Sequence, residues 1–161
     1  VQAMASRPSG DPRFTQIDAS LAVTLKFPGE RLAQFFCSFG SGTSESIRII
    51  GSTGELILDP AFKFDSAPKM TIRSEGKEEM TPFDQVDHFA GQVAYFSDCI
   101  AAKSPPEADG EEGLADMRAL LAIDEAARTG ETVRLDPSTF KAGIQAHMLR
   151  AFAPTTKRLL L

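Results

Sequence analysis

The chain has 161 residues, 42% of them hydrophobic and 24% charged, and a formal net charge of −5. This is the length and composition of a single folded domain with its own core, so disorder is not the default. The acidic balance argues against nucleic acid as a partner, and no apolar run reaches the roughly 18 residues of a membrane span.

In chain order, Val1–Ala5 reads as a short strand, and Arg7–Gln16, with Pro8, Gly10, Asp11 and Pro12, as a loop. Ser20–Phe27 alternates, with Leu21, Val23, Leu25 and Phe27 on one face and Ala22, Thr24 and Lys26 on the other. That period marks a half-buried strand. Pro28-Gly29-Glu30 turns it into a second strand, Arg31–Phe39, to give an antiparallel hairpin. The second strand is apolar on both sides, Leu32 and Phe36 on one and Ala33, Phe35, Cys37 and Phe39 on the other. Both faces of the sheet are therefore expected to be covered at this strand. Glu45–Ile50 and Glu55–Leu58 form another hairpin around Gly51-Ser52-Thr53-Gly54, and Lys69–Arg73 and Thr132–Leu135 read as two further strands.

Two helices are predicted. Over Val86–Ala102, Val86, Phe89, Val93, Phe96 and Ile100 recur at spacings of three and four, an apolar stripe. Asp84 is placed to cap this helix, with Asp87 close to its positive end. The second runs over Glu111–Thr129, with Asp109 and Glu112 as a capping-box-like pair and Gly130 at the left-handed C′ position. Leu114, Met117, Leu120, Leu121 and Ile123 are its expected buried side. Lys103–Gly110, with Pro105-Pro106, links the two helices as a surface loop, and the chain shows no repeat or low-complexity tract. The fold class is α+β: a large, mostly antiparallel open-faced sheet with helices packed on one face. The free face is expected to carry Phe35, Cys37, Phe39, Ala22 and Thr24, and an uncovered apolar face of that kind reads as a homodimer interface.

Catalytic motifs are sparse. Gly40-Ser41-Gly42 lacks a third glycine at the dinucleotide offset, Gly51–Gly54 lies between strands, and no Gly-Lys-Ser/Thr opens a helix. His88 and His147 are far apart and form no metal pair, so no metal is expected. Asp109, Glu111, Glu112 and Asp116 read as N-terminal helix charge. No Gly-x-Ser-x-Gly elbow is present. Cys37 and Cys99 read as reduced core thiols of a cytoplasmic protein. No signal peptide is legible at Val1-Gln2-Ala3-Met4, and the start without an initiator methionine reads as a piece of something longer. His88 stands off the apolar stripe in the first helical turn; it is either a partly exposed surface histidine or a side chain aimed at a pocket beside the helix start.

Several strings carry a family resemblance. Gly110-Glu111-Glu112-Gly113-Leu114-Ala115-Asp116-Met117-Arg118 and Ala126–Val133 resemble the closing helix and strand of the glucose–fructose oxidoreductase / inositol dehydrogenase / MocA-like family. Ile50–Leu56 and Leu58–Phe62 resemble its central hairpin, His88–Val93 running on to Phe96 its penultimate helix, and Ser20–Phe27 with Pro28-Gly29 the hairpin before these. The resemblance covers about Phe14 to Leu135, in the family's order. It implies the family's C-terminal domain over 1–135, on the substrate side and often dimerising through its free face, followed by a tail over 136–161 whose end, 157–161, is expected to be loosely ordered. It also implies a parent NAD(P)-dependent oxidoreductase acting on a sugar, polyol or related small molecule. The family's glycine-rich cofactor loop and Glu-Lys-Pro segment belong to an N-terminal Rossmann domain that this sequence does not contain. NAD or NADP is thus expected only in the full-length protein, none bound by this chain alone, and no catalytic residue carries over. What the resemblance leaves here is substrate-pocket lining, His88, Phe62 and Lys63. A stand-alone binding or scaffolding domain is the alternative, and an unrelated α+β enzyme the third reading.

Overall fold

The computed structural model describes residues 1–136 and 150–154. The chain forms two compact units, one built from 1–42 with the described part of 107–143, the other from 43–106 with the described part of 144–161. The class is α+β with open antiparallel sheets, and the strands are divided between a three-stranded and a four-stranded sheet.

In the first unit β1 (Gln2–Ser6), β2 (Ser20–Phe27) and β3 (Arg31–Ser38) pair antiparallel in that order. At the β2–β3 turn Gly29 and Glu30 both take positive φ, 75° and 60°, a conformation that glycine adopts without steric cost. Pairing puts Ala3 beside Val23 and Val23 beside Phe35 on one face, and Met4 beside Ala22 and Ala22 beside Phe36 on the other. This register corrects the expected composition of the free face. Phe35 and Cys37 stand with Val23 and Leu21, whereas Ala22 and Thr24 stand with Phe36 and Gln34. Side chains alternate strictly along a strand, so a one-residue misassignment exchanges the whole set.

Helix α2 (Gly110–Thr129) lies against β1. Its N-cap Asp109 accepts hydrogen bonds from the N–H groups of Glu111 and Glu112 at 3.0 and 3.1 Å, and Gly130 (φ 73°) donates its N–H to Ala126 O at 2.9 Å. Of its expected covered side only Ile123 is buried. Ala122, Ile123 and Ala126 are buried, while Leu114, Met117, Leu120 and Leu121 are exposed. Small side chains let the helix axis approach the sheet closely, and Val23, 3% exposed, marks the covered sheet face. Thr132–Leu135 forms no strand. The segment meets the start of β1 without forming a ladder: Val1 N donates to Val133 O at 2.8 Å, Val133 N–H to Val1 O at 3.0 Å, and Gln2 Nε2 to Thr132 Oγ1 at 2.9 Å. Cys37 lies exposed on the edge strand β3 rather than in a core; Cys99 is buried, and both are free thiols.

In the second unit β4 (Ile47–Ile50), β5 (Gly54–Leu58), β6 (Lys69–Ser74) and β7 (Lys77–Pro82) form a meander. The sequence reading missed β7. Its opening Lys77-Glu78-Glu79 hides the period-two pattern, although the two-residue Glu75-Gly76 turn, with φ 52° and 75°, is a hairpin signal. Helix α1 (His88–Ala102) begins two residues later than expected and is capped by Asp87, not Asp84: the Asp87 carboxylate accepts from Ala90 N–H at 2.9 Å. Its large apolar stripe, Phe89, Val93, Phe96 and Ile100, is exposed, whereas Gly91 and Cys99 are buried. His147 and the tail end 157–161 lie outside the described residues.

Candidate functional site

The second unit contains the three expected pocket residues, and the loop between β5 and β6 supplies two of them. This loop is tied at its ends and along its length. Asp59 N–H donates to Lys69 O, Ala61 N–H to Glu45 O and Phe83 N–H to Pro68 O, each at 3.0 Å. Gln85 Nε2 reaches Phe64 O at 3.4 Å, linking the loop to the segment that leads into α1.

His88 opens α1, and the capping bond at Asp87 sets where the helix starts. Its imidazole meets Phe64 edge-to-face, with centroids 5.8 Å apart and planes at 87°. On its other contact Phe64 lies 5.0 Å from Phe89, tilted by 42°. Both contacts fall in the separation range of favourable ring pairs. The structure thus joins His88 to the loop through Phe64, a residue that the sequence reading passed over. Phe62 and Lys63 stand exposed in the same loop, and among the described residues neither makes a ring contact or ion pair. The alternating Phe62-Lys63-Phe64 string was the available signal, since two aromatics two residues apart share a side in extended chain. Nearby in sequence, Ser66 Oγ is shut off from solvent and has no hydrogen-bond partner among the described residues.

The α1 face that carries His88 continues through Gly91, Tyr95 and Cys99, at spacings of three and four. The described part of the tail lies along it. Phe152 packs over Gly91, where an added Cβ would lie 3.0 to 3.2 Å from the ring atoms. Arg150 stacks its guanidinium 4.1 Å from the centroid of Tyr95.

One face of the four-stranded sheet carries an ion ladder. Arg48 pairs with Glu55, Arg73 Nη1 reaches Glu55 at 3.1 Å, and Arg73 Nε reaches Glu78 at 2.6 Å, so charges alternate across β4, β5, β6 and β7. Hydrogen bonds from Arg48 and then Arg73 hold the Glu55 carboxyl below its ordinary range, and the same network holds Arg73 up. Every cation in this ladder faces a carboxylate, so it offers no open anion site. An open recess beside it is lined by Thr53, Gly54, Arg73, Ser74, Gly76 and Lys77 among others, and includes none of His88, Phe62 or Lys63.

The described residues do not fit a dinucleotide. A pyrophosphate needs a glycine-rich turn opening onto a helix N-terminus. Here Gly51 N–H donates to Gly54 O within a hairpin. The start of α2 carries Asp109, Glu111 and Glu112, and that of α1 carries Asp87, all of which repel phosphate. Among the described residues no three His, Cys, Asp or Glu side chains group as a metal site, and no helix is long and apolar enough to cross a membrane.

No family model matches the chain. Among characterised proteins it is 32% identical over 115 residues to the D-xylose 1-dehydrogenase [NADP(+)] of Haloarcula marismortui, covering 71% of this chain and 32% of that protein. It is 29% identical over 128 residues to D-xylose 1-dehydrogenase (NADP(+)) 2 of Haloferax volcanii, covering 78% and 39%. Among solved structures it superposes on the aldose-aldose oxidoreductase of Caulobacter crescentus, complexed with glycerol, with a TM-score of 0.76 and 30% identity, covering 83% of this chain and 40% of that one. Over most of its length the chain is thus similar to sugar oxidoreductases of the glucose–fructose oxidoreductase / inositol dehydrogenase / MocA-like type. It spans about a third of the length of the xylose dehydrogenases that it matches. A partial match of this extent is consistent with the C-terminal domain of the family, and the hairpins and two helices that carried the sequence resemblance are present in the structure.

Proposed function

We propose that this chain is the substrate-side, C-terminal domain of an NADP-dependent oxidoreductase that acts on an aldose sugar or a related polyol. The reading is carried by one observation: the relatives above, matched over most of this chain, bear the names of sugar oxidoreductases. That leaves the stand-alone binding module without support. The domain covers 1–135, with a tail over 136–161. NADP, or NAD, is bound by a Rossmann domain outside this chain, in keeping with the acidic helix starts described above, and the hydride step belongs there.

The contribution of this chain is the pocket wall at the β5–β6 loop and the start of α1. His88 and Lys63 are suited to hydrogen-bond sugar hydroxyls, and the exposed ring of Phe62 to cover the C–H face of a pyranose. We also propose that the free face of the three-stranded sheet forms a homodimer. Met4, Ala22 and Phe36 form an apolar row across the three strands of that face, with Gln2, Thr24 and Gln34 as the polar row beside it, and Met4 and Phe36 are largely exposed. The free thiols favour a reducing, cytoplasmic setting.

The test is a purified full-length parent protein assayed by NADPH formation on D-xylose, with the chain of 161 residues assayed beside it. Turnover by the former and neither turnover nor calorimetric NADP+ uptake by the latter is expected. Absence of activity on every aldose and polyol tried, with either cofactor, would overturn the assignment.

A further inference from the structure

We propose that Phe64 is a positioning residue for His88, holding the imidazole at the edge of the sugar subsite by ring contact rather than by a hydrogen bond. The inference rests on the sugar reading above and adds to it the residue that orients its polar group. His88 has no side-chain hydrogen bond among the described residues. Its helix fixes only the backbone, and an exposed first-turn side chain otherwise samples several rotamers. The contact with Phe64 selects among them, because an edge-to-face pair at 87° loses its electrostatic advantage as either ring turns.

Phe64 is itself held on three sides. Its ring rests on Phe89 at 5.0 Å, its carbonyl accepts from Gln85 Nε2 at 3.4 Å, and its loop is tied at both ends by backbone bonds, Asp59 to Lys69 and Pro68 to Phe83. A ring anchored in this way transmits the position of the loop to His88. Sugar hydroxyls are small and numerous, so choosing among epimers requires a donor or acceptor fixed in direction. Phe62, two residues earlier in the loop and exposed, is then the apolar plane of the same proposed subsite.

The experiment uses the two histidines of the chain, His88 and His147, as nuclear magnetic resonance reporters, assigned with His147→Gln. Phe64→Leu keeps an apolar side chain of similar volume, and Phe64→Tyr keeps the ring. Expected is a displaced and broadened His88 imidazole signal in F64L, with the His147 signal unmoved, and recovery in F64Y. In D-xylose titrations the F64L chain should bind about fivefold more weakly, the range an aromatic contact is worth. If the His88 signal is the same in F64L as in the unaltered chain, or if D-xylose binds both alike, the positioning role is overturned while the sugar reading stands. If D-xylose perturbs no resonance of the unaltered chain, both fall together.

Discussion

Glu55 sits at the centre of the ion ladder, its carboxylate shared by Arg48 and Arg73, and only 15% of its side chain is exposed. Its pKa is lower in the folded chain than in the unfolded one, because both guanidinium groups donate to it. The unfolded chain therefore takes up a proton first as pH falls, and the contribution of Glu55 is full above its unfolded value of about 4.3 and lost as pH drops through the folded value. Glu55→Gln is expected to lower the urea midpoint at neutral pH, with the gap to the unaltered chain closing in acid; parallel midpoint curves from neutral pH down to acid would count against this. One residue earlier, Gly54 has a steric task. A Cβ there would lie 2.2 Å from Arg73 O and 3.1 Å from Ser74 Cα, both backbone atoms of the paired strand. No rotamer relieves such a clash, so Gly54→Ala should cost about 3 kcal/mol of unfolding free energy in urea titration. The same titration should show Gly42→Ala, where an added Cβ meets nothing within 4 Å, to be mild.

At the level of elements, the cap of α1 separates what the sequence shows from what only coordinates show. Asp84 and Asp87 are both acceptable caps by residue type, and it is the bond from Ala90 N–H that selects Asp87. Asp87→Ala should cost about 1 kcal/mol, as lost caps do, and Asp84→Ala almost nothing; equal thermal shifts for the two would refute the assignment. The β2–β3 and β4–β5 hairpins were legible because period-two alternation and glycine turns are local signals, and Gly130 was legible as a helix end for the same reason. Which side of each helix is covered was not. The apolar stripes of both helices were read from their largest residues, yet in α2 only Ile123 of that stripe is buried, together with Ala122 and Ala126. Ala115, Ala119, Ala122 and Ala126 do recur at helical spacing. Size alone does not tell which of two apolar sides a given sheet will cover. In the candidate site family resemblance suggested His88, Phe62 and Lys63 as pocket lining, but the contact of Phe64 with His88 joins residues 24 positions apart in the chain and leaves no local signal.

For the molecule as a whole, the balance of covered and uncovered apolar surface is informative. Met4 and Phe36, at the two ends of the row through Ala22, are 76% and 64% exposed on one sheet face, the surface that the proposed homodimer would cover. Phe36→Glu places a charge in that row; if the face associates as proposed, the substitution should lower the sedimentation coefficient from that of a dimer to that of a monomer while leaving the circular dichroism spectrum intact. A sedimentation coefficient that the substitution does not alter would remove this face from consideration. The four-stranded sheet poses a different question, because its two outer strands are unlike. β7 begins Lys77-Glu78-Glu79 and ends on Pro82, which has no N–H to offer. β4, Ile47-Arg48-Ile49-Ile50, is apolar and exposed, and no strand pairs with its outer side among the described residues. Charge and proline make one rim a poor template, and the other rim remains a good one. Any extended peptide that adds to this sheet is therefore directed to the β4 rim, so the sheet has a growing end and a terminated end, like a polymer capped on one side.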